Sequence, residues 1–358
     1  MAGYAEVGSE FWIDEMPNET IHILPEWITK FGDAVLTSSG RSAIALLLKE
    51  INPKAKTALL PAYICESVIL PFIAEGYSCC FYNINEDLTP DLISIAAGGN
   101  VGIFLHMGYF GFQTNSCLSD SIRQLKADST IIIEDVTHSL FSDYRKYEEN
   151  DYYIASIRKW IGLPSGGFLA SPDKIINSIL QNNEVFADIR KEALLLKAQY
   201  MDGADEALKQ QFLDLFKKSE ELLDCDLMPY NIDAASGTII SILDVKELKD
   251  KRRANFKMLS EGLKGIKYLE PVFTLLSEDV CPLFYPVYIN KNRSGIQKKL
   301  EEKNIYCPIH WPLPKQIKYS HLNNAAKIYN EELSIPCDQR YGEDDIKREI
   351  SAFKDLLL

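Results

Sequence analysis

At 358 residues, with 46% hydrophobic and 25% charged side chains, the chain reads as a soluble globular protein long enough for two lobes in contact. Its formal net charge of −13 argues against a nucleic-acid binder, because a phosphate backbone rewards clustered Lys and Arg. The 8 cysteines, with Cys79 and Cys80 adjacent and the rest scattered, show neither a disulfide framework nor metal-ligand spacing, so reduced thiols in a cytoplasm and no metal site are expected.

The amino terminus, MAGYAEVGSEFWIDE, lacks the basic and then apolar pattern of a secretory signal. No run of about 18 apolar residues follows, so no membrane span is expected and the sequon at Asn18 carries no glycan reading. Ser42 to Leu48 reads as a helix opened by a Ser-Ser-Gly turn, and Thr57 to Leu60 as a short buried strand ending at Pro61. Ser67 to Glu75 suits a helix and Cys79 to Ile84 a strand. Val101 to His106 is apolar and runs into a Gly-rich turn, and Leu118 to Lys126 is helical. Thr130 to Ile133 is a β-branched run ending in Glu134-Asp135. Tyr152 to Ile157 and Gly167 to Ala170 are two further short strands. Short apolar strands alternating with helices predict a mostly parallel sheet covered on both faces.

The character changes after about Ser171. Residues 173–226 are rich in Leu, Lys, Glu and Gln with helical periodicity, and a helix is expected from Val245 to Leu263. Strand-like Cys281 to Ile289, a helix around Ser294 to Lys303, the segment YCPIHWPLP and a closing helix from Glu343 to Leu357 complete the chain. The division expected is a large α/β lobe over 1–243 and a smaller α+β lobe over 244–358.

In an open α/β sheet, ligands bind at the carboxyl ends of the strands, so chemistry is sought in the loops there. Ser38-Ser39-Gly40-Arg41-Ser42 opens a helix. Its free amides and dipole suit a phosphate, with Arg41 and Ser42 adding charge and a hydroxyl; it also reads as a plain helix cap. In Ile131-Ile132-Ile133-Glu134-Asp135-Val136-Thr137-His138, an acid at the end of a buried strand is costly without a partner, and a protonated pyridine nitrogen is such a partner. A surface acid or N-cap, and for His138 a satisfied structural histidine, are the plain alternatives. Lys159, just past a strand and before Gly166-Gly167, has the chemistry of an imine-forming amine, although most lysines are simply solvated. His310-Trp311, bracketed by prolines, either faces a substrate or packs the lobes together. Arg252 and Arg253 read as a solvated helix face rather than an anion site. Gly108-Tyr109-Phe110-Gly111 is a poor match to the dinucleotide fingerprint, which disfavours a nucleotide-binding α/β enzyme.

Taken in order, these segments resemble the DegT/DnrJ-type sugar aminotransferases, a family of aspartate-aminotransferase-like enzymes that use pyridoxal phosphate (PLP). The resemblance runs from GSEFW through SSGRSAI, LPAYICESV, AEGYSCCFYNI, IIIEDVTHS, SIRKWIGLPSGG and KRRANF to LSIPCDQRYGEDDIKREI. It implies the PLP-dependent transferase fold of type I. Carried over position by position, Lys159 matches the lysine that holds the cofactor as a Schiff base, and Asp135 the acid on the pyridine nitrogen. His138 falls where the family usually has Gln, near the phenolic oxygen. Gly40, Arg41 and Ser42 match the phosphate turn, and Ser156 lies close to a second phosphate-contacting serine. The family places an aromatic ring over the cofactor in the loop that here reads Pro61-Ala62-Tyr63-Ile64-Cys65-Glu66. Cys65 falls near that position, so either Tyr63 takes over the stacking or the ring is covered differently. His310 and Trp311 are candidate substrate contacts.

The function implied is transfer of an amino group from an amino-acid donor to a keto group, by resemblance on a nucleotide-linked sugar, in a homodimer with shared active sites. Other PLP reactions use the same residues: amino-acid transamination, elimination or decarboxylation. The presence of both Lys159 and Asp135 disfavours a noncatalytic PLP-fold protein.

Overall fold

The computed structural model describes all residues except 1–5, 18–20, 22, 177, 204, 320, 321, 323 and 358, so Asn18 lies outside the described residues. Its centre is a nine-stranded sheet. Ser78–Tyr82, Thr57–Pro61, Ile103–Met107, Ile131–Asp135 and Tyr152–Ser156 lie side by side and parallel. Gly167–Ser171 runs antiparallel to the last of these and to Asp33–Thr37 on its other side. The short strands Tyr230–Asn231 and Gln181–Asn182 close that edge. The inner parallel strands are mostly apolar and buried because helices cover both faces, which is why they stood out in the sequence as short apolar runs, whereas the edge strand Ser78–Tyr82 is partly exposed.

Most elements fall within a residue or two of their expected places. The helix after the Ser-Ser-Gly turn spans Gly40–Glu50, with Leu46, Leu47 and Leu48 buried in the main core. Three differences stand out. The helical stretch begins at Glu184 rather than near 173 and is a hairpin of two helices, Glu184–Gly203 and Glu206–Cys225, with its own small core around Leu194, Tyr200, Phe212 and Phe216. The strand expected from Cys281 starts only at Tyr285. Asp33–Thr37 and the helix Ala234–Ile242 were not foreseen.

The carboxy-terminal part carries a three-stranded antiparallel sheet, Leu269–Pro271, Tyr285–Ile289 and Glu332–Ile335. The helices Val245–Gly262 and Glu343–Leu357 pack on each other so closely that a Cβ at Gly262 would stand 2.4 Å from Ile350 Cδ1. The amino-terminal strand Val7–Gly8 crosses to pair with Ile305–Tyr306, and Gly8 N–H donates to the buried Tyr341 hydroxyl over 2.9 Å. Among the described residues no helix is long and apolar enough to cross a membrane.

Candidate active site

The strand register brings three chain ends together. Asp135 lies beside Ile154, Ser156 beside Gly167, and Thr37 on the far side of Gly167. The turn 38–42 follows directly from Thr37 and packs against this junction. A Cβ on Gly167 would meet the Ser39 carbonyl carbon at 2.4 Å, and one on Gly40 would meet Ser156 Cβ at 3.2 Å. Position 167 therefore needs glycine for the turn to nest on the sheet, and a side chain at Gly40 would be tight against Ser156. Ser39 caps the helix, its Oγ accepting from Ser42 N–H over 3.1 Å. The amides of Gly40 and Arg41 precede any carbonyl of their own helix and remain at the positive end of its dipole.

A cavity of about 680 Å³ opens over this junction. Gly40, Arg41, Cys65, Asp135, His138, Ser156, Lys159, His310 and Trp311 all line it. Ser42 and Tyr63 do not. The Ser42 hydroxyl turns away to Ser38 Oγ at 2.8 Å and to the Met228 carbonyl at 3.4 Å. Tyr63 is buried behind Trp311, their ring centres 5.1 Å apart. Trp311, not Tyr63, is the aromatic ring of that stack that meets the cavity.

The electrostatics are uneven. Asp135 is 5% exposed and accepts the Thr137 amide over 2.8 Å, yet among the described residues no basic side chain pairs with it. Burial outweighs the bonds from Thr137 and pushes its carboxyl up to about 6. His138 is buried and its Nδ1 accepts the Phe110 amide over 3.3 Å, which leaves the proton of the neutral ring on Nε2. Burial first, then the nearby Lys159, depresses it to about 3, so the ring is neutral near pH 7. Lys159 ends the short helical turn Ile157–Lys159, and among the described residues its amine forms no hydrogen bond or ion pair. The next residue anchors it. Trp160 is buried, donates Nε1–H to Thr137 O over 2.6 Å, and its carbonyl accepts from Gln339 Nε2 at 2.8 Å and Arg252 Nη2 at 3.2 Å.

That contact corrects the reading of Arg252 as part of a solvated face. The side chain is 1% exposed, lies 4.7 Å over the Trp160 ring, and donates to the Pro282 and Leu283 carbonyls. Arg253 likewise bonds backbone, at Ser277 O over 2.6 Å.

His310 sits at the end of a buried polar chain. Its Nδ1 is 2.8 Å from Ser334 Oγ, which donates to Glu332 Oε1 over 2.5 Å, while Glu332 Oε2 accepts the His310 amide over 2.8 Å. Burial pushes Glu332 up to about 8 against these bonds. The rings of His138 and Trp311 are 5.1 Å apart, and those of His138 and His310 5.7 Å.

The helical hairpin supplies cavity residues the sequence gave no means of placing, among them Arg190, Lys197 and Glu220. Their spacing fits an ordinary solvated helix face. Only tertiary contacts bury Arg190 and Lys197, which are 4% and 0% exposed: Arg190 meets Glu10 and the Leu163 carbonyl, and Lys197 meets Glu6 and Ser9. Among the described residues, no cluster of three His, Cys, Asp or Glu side chains is arranged to hold a metal ion.

Comparison with known proteins bears on what this cavity is for. Residues 228–354 match the model of the DegT/DnrJ/EryC1/StrS aminotransferase family. No protein of curated function matches the sequence. The fold is widely shared among solved structures. PseC of Helicobacter pylori, an aminotransferase involved in the biosynthesis of pseudoaminic acid, superposes with a TM-score of 0.71 at 14% identity, covering 99% of each chain. DesV from S. venezuelae gives 0.66 at 15% identity, over 92% of this chain and 86% of its own. The sugar aminotransferase CalS13 from Micromonospora echinospora gives 0.62 at 16% identity, over 91% and 89%. The expected type I fold of PLP-dependent transferases is therefore the fold observed.

Proposed function

Because residues 228–354 match the model of the DegT/DnrJ/EryC1/StrS aminotransferase family and the fold is that of PLP-dependent transferases of type I, we propose that the chain is such an aminotransferase and transfers an amino group from an amino-acid donor to a keto group on a nucleotide-linked sugar, using PLP. The observation that carries the proposal is the meeting, in one cavity, of a buried carboxylate, a neutral imidazole and an amine, the carboxylate without a cation and the amine without a partner among the described residues. The three groups suit different parts of one ligand. A buried Asp135 with no counter-ion fits a protonated ring nitrogen. The turn at Gly40 and Arg41, with Ser156 beside it, fits a phosphate. The free Lys159 amine fits an aldehyde carbon.

When bound, the cofactor supplies an electron sink. The chain's own residues do the rest. Asp135 keeps the ring nitrogen charged. His138, whose Nδ1 accepts the Phe110 amide and which carries its proton on Nε2, would be the residue to donate to the cofactor's phenolic oxygen, where relatives of this family use an amide. Lys159 takes the proton from the donor's α-carbon and returns it one atom away, a role its exposed amine suits. Arg252 and Gln339 fix the Trp160 carbonyl and so hold the backbone beside that amine. Trp311, backed by Tyr63, offers the cavity an aromatic face. We place the boundary between the cofactor lobe and the smaller lobe near residue 243, and read the enzyme as a cytoplasmic homodimer whose partner completes the substrate pocket.

The test is a screen of the purified protein with PLP against glutamate and other amino donors, paired with keto sugars in nucleotide-linked and free form. Amino-sugar formation with a nucleotide-linked acceptor supports the proposal. Turnover confined to keto acids, or carbon dioxide or ammonia release without transfer, contradicts it.

A further inference from the structure

Next to the phosphate turn, three arginines converge on one carboxylate. Arg158 Nη1 lies 2.9 Å from Glu220 Oε1, Arg190 Nη1 3.2 Å from the same oxygen, and Arg41 Nη1 3.2 Å from Oε2. Arg41 also reaches Asp224 at 2.9 Å, and Arg190 reaches Glu10 at 3.0 Å. The guanidinium groups belong to the built framework. The side chains of Arg158 and Arg190 are 8% and 5% exposed, and they stack over the rings of Phe186 and Phe216 at 5.6 and 5.1 Å. The carboxylate is different. Glu220 comes from the second helix of the hairpin, and its side chain is 39% exposed. Asp224 and Glu10 are about half exposed.

Donors also outnumber acceptors. Among the described residues, the buried Nε atoms of Arg41 and Arg158 find no hydrogen-bond partner. Glu220 offers two oxygens to three forks, with Asp224 on Arg41 and Glu10 on Arg190 as further, half-exposed acceptors, whereas a phosphoryl group offers three oxygens at greater charge. The three arginines and Glu220 line the same cavity as Ser39, Gly40 and Ser156, so the cluster continues the helix-end phosphate turn.

We infer that Arg41, Arg158 and Arg190 form a phosphoryl-binding site that Glu220 occupies until a phosphorylated ligand displaces it. The cation field around Glu220 fits this role: burial raises its carboxyl, but Arg158, Arg190 and Arg41, then Lys159, outweigh that and hold it far below the usual range. The carboxylate neutralises buried arginines that are otherwise costly, and it does so from a half-exposed helix face that can withdraw. Two phosphoryl sources share this chemistry, the phosphate of PLP and a phosphoryl group on the acceptor. The identity of the source rests on the proposed function; the site itself does not.

The test is calorimetric titration of the full chain and of Glu220→Gln in phosphate-free buffer at low salt, first with inorganic phosphate, then with PLP, then with pyridoxal. Removing the competing charge is expected to tighten inorganic phosphate on the order of tenfold, and to leave pyridoxal unchanged. Arg158→Gln and Arg190→Gln each weaken phosphate by about the same factor. Repeating the phosphate titration on PLP-loaded protein separates the sources. Loss of phosphate binding assigns the site to the cofactor's phosphate, and persistence of the Glu220→Gln gain assigns it to the acceptor's. Unchanged or weaker phosphate binding by Glu220→Gln, with native circular dichroism, overturns the inference. Should that variant not fold, unaltered phosphate binding by Arg158→Gln overturns it equally. Inorganic phosphate needs no Lys159 chemistry, so failure of the cofactor reading and failure of this site give different results.

Discussion

Glu134 and Asp135 are neighbours at the end of one strand, both buried, and they have opposite surroundings. Strand alternation sends them to opposite faces of the sheet. Glu134 meets Lys146 at 2.9 Å and the Asn150 amide at 2.8 Å, with His106 bonded to the same Asn150. Burial opposes its charge, but Lys146 and His106 overcome that and hold the carboxyl below its ordinary value. Asp135 faces the cavity with only Thr137 to satisfy it and rises to about 6. The first is a finished structural pair. The second has only Thr137 to satisfy it, an arrangement that suits the ligand contact proposed for it.

The comparison can be broken in several ways. Lys159→Ala, on the Asp135 face, should lower turnover at least about a thousandfold while leaving the melting temperature near wild type, as checked by steady-state kinetics and thermal melts. Glu134→Ala, on the other face, should do the reverse. It strands Lys146 and should cost about 3–5 kcal/mol in denaturant unfolding. A cost under about 1 kcal/mol would mean the pair is not structural.

Asp135→Asn gives a sharper contrast. A carboxyl raised by burial favours the fold in its protonated form. That contribution is full below about pH 4 and is lost as pH rises through about 6. At pH 7.5 the neutral amide should therefore make the cofactor-free protein more stable, by up to about 3 kcal/mol, while weakening PLP binding. A lower melting temperature would show that Asp135 has a partner in the free protein. The smallest effect concerns His138. Depressed from 6.5 to about 3, it lends stability above pH 6.5 that is lost as pH falls toward 3. His138→Gln should flatten the acid limb of the stability profile by at most about 1.4 kcal/mol per pH unit, measured between pH 6.5 and 5.

Much of this site was legible because its parts are local. The inner parallel strands are buried on both faces and read as apolar runs, and the polar residues just past Ile133, Ala155 and Thr37 mark the sheet edge where ligands bind in such folds. Which of Glu134 and Asp135 faces the ligand follows from alternation only once the cavity side is known. The hairpin was not legible. The charged residues of its helices repeat as any solvated face does, and nothing local says that Arg190 and Lys197 are buried or that Glu220 meets Arg41 from 179 residues away. Arg252 misled for the same reason: a charged helix was read as exposed, whereas its partners are backbone carbonyls of a distant loop and the indole of Trp160. Tyr63 is a candidate to cover the ring on sequence grounds, but it is Trp311, packed against Tyr63 from the distant carboxy-terminal part, that lines the cavity.

The central claim is that the unpaired amine and the unpaired carboxylate await PLP. It is tested most directly by the absorbance spectrum of the purified protein after adding PLP, before and after borohydride, followed by peptide mapping. The expected result is a visible band that reduction abolishes, with the cofactor trapped on Lys159 and the band weakened in Asp135→Asn. No band, or an adduct confined to other lysines, would contradict the account.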